Sequence, residues 1–264
     1  MTPTAPLAHD RAGPSGGLPV VLVHAGIADR RMWEAQWGPL TGERDAVRVD
    51  LRGFGESATP PEGALLPLGD LSATLDALGI ARCHLVGASL GAGVAVELAL
   101  TRPDLVESLL LAPPGGSLLT KVTPDLRAFF DAESAALERH DLDAATEANV
   151  RAWVVGPGRD DSDVPAELLT RVRTMQRRAF DLQLAWGAVE EAELDPPAAE
   201  RLAEVAARTL VLVGDHDLET TREAAQRVAR EVPGARLVEW TDAAHLPSME
   251  HPDDFCSLLL EWVR

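Results

Sequence analysis

The sequence is poor in residues that several kinds of protein require. Of its 264 residues only two are cysteine. Cys83 and Cys256 sit in apolar segments rather than at disulfide-framework or metal-ligand spacing. That excludes a stapled scaffold and a metal knuckle, and predicts two reduced, buried thiols and no metal site. Lysine occurs once, at Lys121, so Schiff-base chemistry has essentially no candidate. Positive charge is scarce in general, with 24 Lys and Arg against 42 Asp and Glu and a formal net charge of -18. Such a surface repels phosphates and anionic headgroups, which argues against nucleic acid or a membrane as partner. No apolar run approaches the length of a bilayer span, and the opening M-T-P-T-A-P-L-A-H-D is neither basic nor apolar. A soluble, cytoplasmic chain is therefore expected. Internal repeats and low-complexity tracts are also missing.

What the sequence does contain is alternation. After a Pro/Gly-rich lead-in, the run Leu18 to His24 (L-P-V-V-L-V-H) is continuously apolar and β-branched, as in a strand covered on both faces of a parallel sheet. Ala46 to Leu51, Cys83 to Ala88, Ser108 to Leu111, Thr209 to Val213 and Ala235 to Trp240 read in the same way. Helical spacing fills the gaps at Met32 to Leu40, Leu68 to Leu78, Leu90 to Leu100 and Arg222 to Glu231, with a last helix from Asp253. Strand and helix in turn predict an α/β fold, a mostly parallel twisted sheet flanked by helices.

One interval breaks the rhythm. Between Pro113 and Pro197 the only strong signals are three amphipathic helices, carrying Leu126, Phe129, Phe130 and Leu137, then Leu142, Val150, Trp153 and Val154, then Leu168, Val172, Met175, Ala179 and Trp186. An all-helical block that leaves one sheet strand and returns to the next predicts a lid. Residues 1–112 and 198–264 are expected to form the core domain and residues 113–197 the helical cap, jointed at P-P-G-G and D-P-P.

Chemistry is concentrated at Gly87-Ala88-Ser89-Leu90-Gly91, which follows a predicted buried strand and opens a predicted helix. A nucleophile elbow needs that context. The chain must reverse sharply to lift the serine above the sheet edge, small neighbours must relieve the contacts, and the helix N-terminus then aims N–H groups at an oxyanion. The plainer role for Ser89, capping the helix that starts at Leu90, is compatible with it. A serine hydroxyl needs a base, and His245 alone among the seven histidines lies in the loop after the last predicted strand, at the same sheet edge. His9, His140 and His251 lie in surface-like stretches, and His84 is within a strand. The third member should be a carboxylate after the preceding strand, where V-G-D-H-D supplies two. Asp217 is preferred: Asp215 follows the strand-ending glycine and suits a turn cap, while Asp242 is close enough to the histidine to organise its own loop.

These segments together resemble the α/β-hydrolase superfamily, in its lidded group of 3-oxoadipate enol-lactonase-like and carboxylesterase-like enzymes. The resemblance runs through V-L-V-H-A-G at 21–26, D-L-R-G-F-G-E-S at 50–57, H-L-V-G-A-S-L-G at 84–91, V-G-D-H-D at 213–217 and A-A-H-L-P-S-M-E-H-P at 243–252. It implies the triad Ser89, Asp217 and His245, and an oxyanion hole made of the backbone N–H groups of Leu90 and Gly26. It also implies structural roles for His24 and for an Asp50/Arg52 pair, and no cofactor. Two departures stand out. Ala25 replaces a common glycine, and the lead-in is too short and too rich in Pro and Gly for the family's first hairpin, so one strand is expected to be missing.

The expected activity is cleavage of a small ester, lactone or related carbonyl through an acyl-enzyme, with a small molecule as the only anticipated partner. Ile27, Phe129, Phe130, Trp153, Phe180, Trp186 and Leu246 are the candidate pocket walls. The same scaffold also carries cofactor-free haloperoxidases, lyases, cyclases and ligand-binding receptors, which remain alternatives. An aspartate-nucleophile enzyme is disfavoured because the elbow holds serine.

Overall fold

The computed structural model describes residues 6–192 and 194–264. Seven strands form one sheet: β1 (His9–Ala12), β2 (Val20–Val23), β3 (Ala46–Val49), β4 (Cys83–Ser89), β5 (Val106–Pro114), β6 (Arg208–Gly214) and β7 (Arg236–Trp240). Their order is β1-β3-β2-β4-β5-β6-β7, parallel throughout except for β1. The predicted α/β class and parallel sheet are therefore what is observed. β3 lies outside β2 and the chain then returns to put β4 on the other side of β2, so the winding reverses there. At such a switch the loops leaving the strand ends part and leave a crevice, and Ser89 is the last residue of β4.

The apolar runs form strands because both faces of the sheet are covered. Val21 and Val23 enter one apolar cluster with Leu71, Leu75, Leu98 and Val228, while Val20 and Leu22 enter another with Trp33, Leu40, Phe255 and Leu259. Alternate side chains of one strand thus feed opposite cores, as the period of two requires. The covering helices are α1 (Glu34–Glu43), α2 (Pro67–Ala77), α3 (Leu90–Thr101), and, beyond the insertion described next, three that follow it among the described residues.

Between β5 and β6 run α4 (Pro124–Glu138), α5 (Leu142–Asn149) and α6 (Ala166–Trp186), with a wide π-helical turn at Val150–Val155 continuing α5. Their faces carry the stripes read from the sequence. Leu126, Phe129, Val150, Trp153, Leu168, Val172 and Met175 pack into the cluster that contains Trp33 and Phe255, so the insertion shares its core with one face of the sheet. After β6 come α7 (Glu219–Glu231), then β7, the short α8 (Pro247–Glu250) and α9 (Pro252–Trp262). Two helical turns, Ala198–Glu200 and Leu202–Glu204, lead into β6.

Of two local expectations, only the second needs correction. The lead-in contains β1, which pairs antiparallel with β3 in the register His9 to Val49 and Ala12 to Ala46. Its sequence HDRA has no apolar alternation; ion pairs hold it, Arg11 to Asp45 at 2.7 Å and Asp10 to Arg48 at 2.8 Å. Charged residues on an edge strand also discourage pairing with another chain. Only this one strand of a hairpin is present among the described residues, and the first five residues lie outside them. At the other joint, β5 runs on to Pro114, so the expected start of the helical block at 113 falls inside a strand. Among the described residues no helix is long and apolar enough to cross a membrane.

Candidate active site

Ser89 sits between β4 and α3 with φ 52 and ψ -113, a left-handed backbone conformation that costs a non-glycine residue of the order of 1–3 kcal/mol. The turn is possible because its neighbours are bare. A Cβ on Gly91 would come within 2.6 Å of the His24 carbonyl oxygen, and one on Gly115 within 2.7 Å of both Cα and Oγ of Ser89. Gly115 was not in the sequence argument, and its only signal was the P-P-G-G run. Ser89 makes no cap bond to α3, so the plainer role is not realised. Its hydroxyl, partly exposed, makes no hydrogen bond to any described residue.

Asp217 and His245 are brought together from loops 28 residues apart, after β6 and after β7. His245 Nδ1 lies 2.9 and 2.8 Å from the two carboxylate oxygens, and both residues are 2 % exposed. A carboxylate only accepts, so Nδ1 carries the hydrogen, and in the neutral ring the lone pair is on Nε2. Asp217 is itself fixed by the Leu218 N–H at 2.7 Å, and the loops are joined by His216 N–H to Ala243 O at 3.0 Å. Asp215 contributes only a backbone bond to Trp240, and the Asp242 carboxylate stays at the surface beside Thr241.

Gly26 and Leu90 face each other across the crevice, since a Cβ on Gly26 would lie 3.6 Å from Leu90 Cβ. The Leu90 N–H opens α3 and is one of the donors a helix leaves unpaired at its N-terminus. The loop that carries Gly26 is braced by His24, which is fully buried: Nδ1 donates to Ala25 O at 2.8 Å and Nε2 accepts from Leu51 N–H at 2.9 Å. The second bond, in which Nε2 accepts, requires the neutral ring. Burial holds its pKa below the ordinary histidine value, which keeps it so. Asp50 and Arg52 brace the neighbouring loop, but not as a pair. Asp50 binds Arg30 and the Glu56 N–H, whereas Arg52 meets Asp70 at 2.6 and 2.8 Å. Both residues follow β3, and their side chains turn to different partners, Asp50 to the segment before α1 and Arg52 to α2.

The candidate pocket residues separate into two groups. Rings form a file from Phe130 to Phe129 to Trp153 to His245, with centroid spacings of 5.5, 5.3 and 4.4 Å, and Ile27 belongs to the same apolar cluster. The rest are packing residues. Phe180 closes the insertion's own small core with Ala136 and Ala145; Trp186 donates Nε1–H to Ala58 O at 3.2 Å and lies over Gly53; Leu246 has no exposed surface. A cavity of about 550 Å³ borders Leu90 and is walled by Val94, Gly116, Leu119 and Pro197, with none of the insertion's aromatics. Cys83 and Cys256 are buried free thiols, and burial pushes the Cys83 thiol up to about 12, where it is no nucleophile. Sequence reading passed over Arg159 and Glu250, which bind one another at 2.9 Å beside the histidine loop.

A strand order with its switch at β2 and β4, a serine at the strand-to-helix turn and a carboxylate-bound histidine in the loop after β7 point to a class of protein, and comparison with known proteins gives the family. Residues 20–258 match the alpha/beta hydrolase family, and the chain belongs to it. It is similar to RutD of Klebsiella pneumoniae, named as a candidate carbamate hydrolase, with 29% identity over 93% of this chain and 91% of the relative. It is also similar to the 3-oxoadipate enol-lactonase 1 of Acinetobacter baylyi, with 24% identity over 96% and 91% of the two chains. Among solved structures, a thermophilic esterase from Thermogutta terrifontis is 30% identical with a TM-score of 0.79, over 98% of this chain and 93% of that one. The protein is a hydrolytic enzyme of this family.

Proposed function

We propose that the protein cleaves a small ester, lactone or related carbonyl compound through an acyl-enzyme on Ser89. His245 takes the serine proton on Nε2 as the hydroxyl attacks and returns it to the leaving group. Asp217 holds the imidazole in the tautomer that makes this possible and balances the imidazolium that forms. The oxyanion of the tetrahedral intermediate is held by the N–H groups of Leu90 and Gly26, and water then releases the acid. The helical insertion between β5 and β6, from Pro124 to Trp186, acts as the cap over the sheet domain, and the substrate's apolar part lies against Ile27, Phe129 and Trp153.

The observation that carries this reading is the conjunction of a left-handed serine at a strand-to-helix turn with a buried histidine whose Nδ1 is committed to a carboxylate. Relatives named as an esterase and an enol-lactonase support the carbonyl class. The test is hydrolysis of p-nitrophenyl acetate together with labelling by a fluorophosphonate. Ser89→Ala should lose both, and Asp217→Asn should lower kcat by about 10⁴. Labelling that persists in Ser89→Ala would rule the assignment out.

A further inference from the structure

The histidine loop is held from the insertion as well as from the sheet. The last carbonyls of a helix have no partner inside it and must find donors elsewhere. In the π-helical turn Val150–Val155, which ends at Gly156 with φ 78, three of these carbonyls find them outside the helix. Trp153 O accepts the backbone N–H of His245 at 3.2 Å. Val154 O and Val155 O accept Nη2 and Nε of Arg159 at 2.9 and 2.6 Å.

Arg159 then crosses to the histidine loop. Its Nη1 donates to Asp242 O at 3.1 Å, and its Nη2 meets Glu250 Oε2 at 2.9 Å. Glu250 spends its oxygens on the two residues flanking His245, accepting the N–H of Ala244 at 3.0 Å and of Leu246 at 3.1 Å. Both side chains are nearly inaccessible, 10% exposed for Arg159 and 5% for Glu250. The Trp153 ring meanwhile lies against the imidazole.

We propose that Arg159 and Glu250 are positioning residues for His245, a bridge through which the seating of the cap sets the backbone on either side of the catalytic base. The proposal rests on the reading of His245 as base. Neither side chain touches the reacting atoms. Glu250 fixes the path of the chain through residues 244–246, and with it the direction of the imidazole. Arg159 neutralises that carboxylate and ties it to the cap. Without the guanidinium, Glu250 is a buried unpaired anion that draws water into the loop, and the brace on Ala244 and Leu246 loosens. Displacement of a catalytic group by about 1 Å costs on the order of 10²-fold in rate, so a loosened loop is expected to show in kcat before it shows in substrate binding.

The experiment compares Arg159→Met, Glu250→Gln and Glu250→Leu by p-nitrophenyl acetate kinetics and by the downfield proton resonance of the His245 Nδ1–H. In Arg159→Met and Glu250→Leu, kcat should fall ~10- to 100-fold while KM changes by less than about threefold, and the resonance should shift or broaden. Glu250→Gln keeps one carbonyl oxygen for both N–H groups and should recover most of the loss seen in Glu250→Leu. Because it keeps the loop's hydrogen bonds, it also reads out should Glu250→Leu not fold. Arg11→Met, which removes an ion pair on the distant edge strand, should lower thermal stability and leave kcat and the resonance unchanged. Arg159→Met and Glu250→Leu that behave like Arg11→Met overturn the proposal while the triad, tested by Ser89→Ala, stands. Activity retained in Ser89→Ala overturns the triad and the positioning role with it.

Discussion

At the scale of single residues, space around Ser89 matters as much as the groups that do the chemistry. Gly115 has φ -172, an extended conformation that any residue adopts, so its glycine is needed for room rather than for backbone freedom. An added methyl would stand 2.7 Å from Ser89 Oγ, well inside van der Waals contact. Gly115→Ala should therefore displace the nucleophile. The expected result is a fall in kcat of about 10²-fold, as for other misplacements of this size, with an unchanged far-UV spectrum. A variant with full kcat would show that β5 yields and that the elbow tolerates the shift.

At the scale of elements, ion pairs decide how the loops beyond the strands are held, and burial sets their worth. Arg52 and Asp70 are 7% and 8% exposed and fix the 50–57 loop to α2, with Arg52 also donating to Thr59 O at 3.1 Å. Removing one partner leaves a buried charge alone. Arg52→Met should cost about 3–5 kcal/mol in denaturant unfolding, whereas Lys121→Met, which breaks the exposed pair with Glu223, should cost under about 1 kcal/mol. Equal losses in the two variants would contradict the ranking by burial. The same logic separates Arg159 and Glu250 from the surface pairs of α6, such as Arg173 with Glu147, whose side chains are 33% and 54% exposed.

For the whole molecule, the buried histidines set an acid limit. His24 and His84 are both held below the ordinary value of 6.5, chiefly by burial, although His84 also bonds Ser108 Oγ at 2.8 Å. The sign follows from which state takes up the proton. As pH falls through 6.5 the unfolded chain binds protons that the folded chain refuses, so acidification favours unfolding until the lower folded values are reached. Above 6.5 the two states are alike in these groups and their contribution is constant. The buried Asp29 acts elsewhere: burial alone would raise it, but hydrogen bonds from Arg31 hold it below 3.8, so its contribution is lost only in stronger acid. Tm should therefore fall between about pH 7.5 and about pH 5.5, and His84→Gln should reduce that fall. An identical pH profile in His84→Gln would remove His84 from the account.

Much of this was legible in the order of residues. Strands buried on both faces need unbroken apolar runs, so Val20–Val23, Cys83–Ser89 and Arg208–Gly214 announce themselves within a residue or two. The G-A-S-L-G pentapeptide carries its own steric reason, and the loop positions of Asp217 and His245 follow from strand order. What could not be read locally depends on partners distant in the chain. β1 is held by Arg48, which lies opposite Asp10, and by Asp45, which pairs with Arg11 just before β3, and HDRA itself has no strand pattern. Asp50 and Arg52 look like a pair at a spacing of two, yet they find Arg30 and Asp70 instead. Phe180 and Trp153 have the same apolar character and sit on insertion helices alike, but only Trp153 reaches the histidine. Arg159 and Glu250 are 91 positions apart and were invisible as a unit until folding buried them together. An apolar pattern is a local property that burial rewards wherever it occurs, so sequence alone carries the sheet and the elbow. A buried charge is tolerated only beside its counterpart, and which counterpart that is depends on three-dimensional packing.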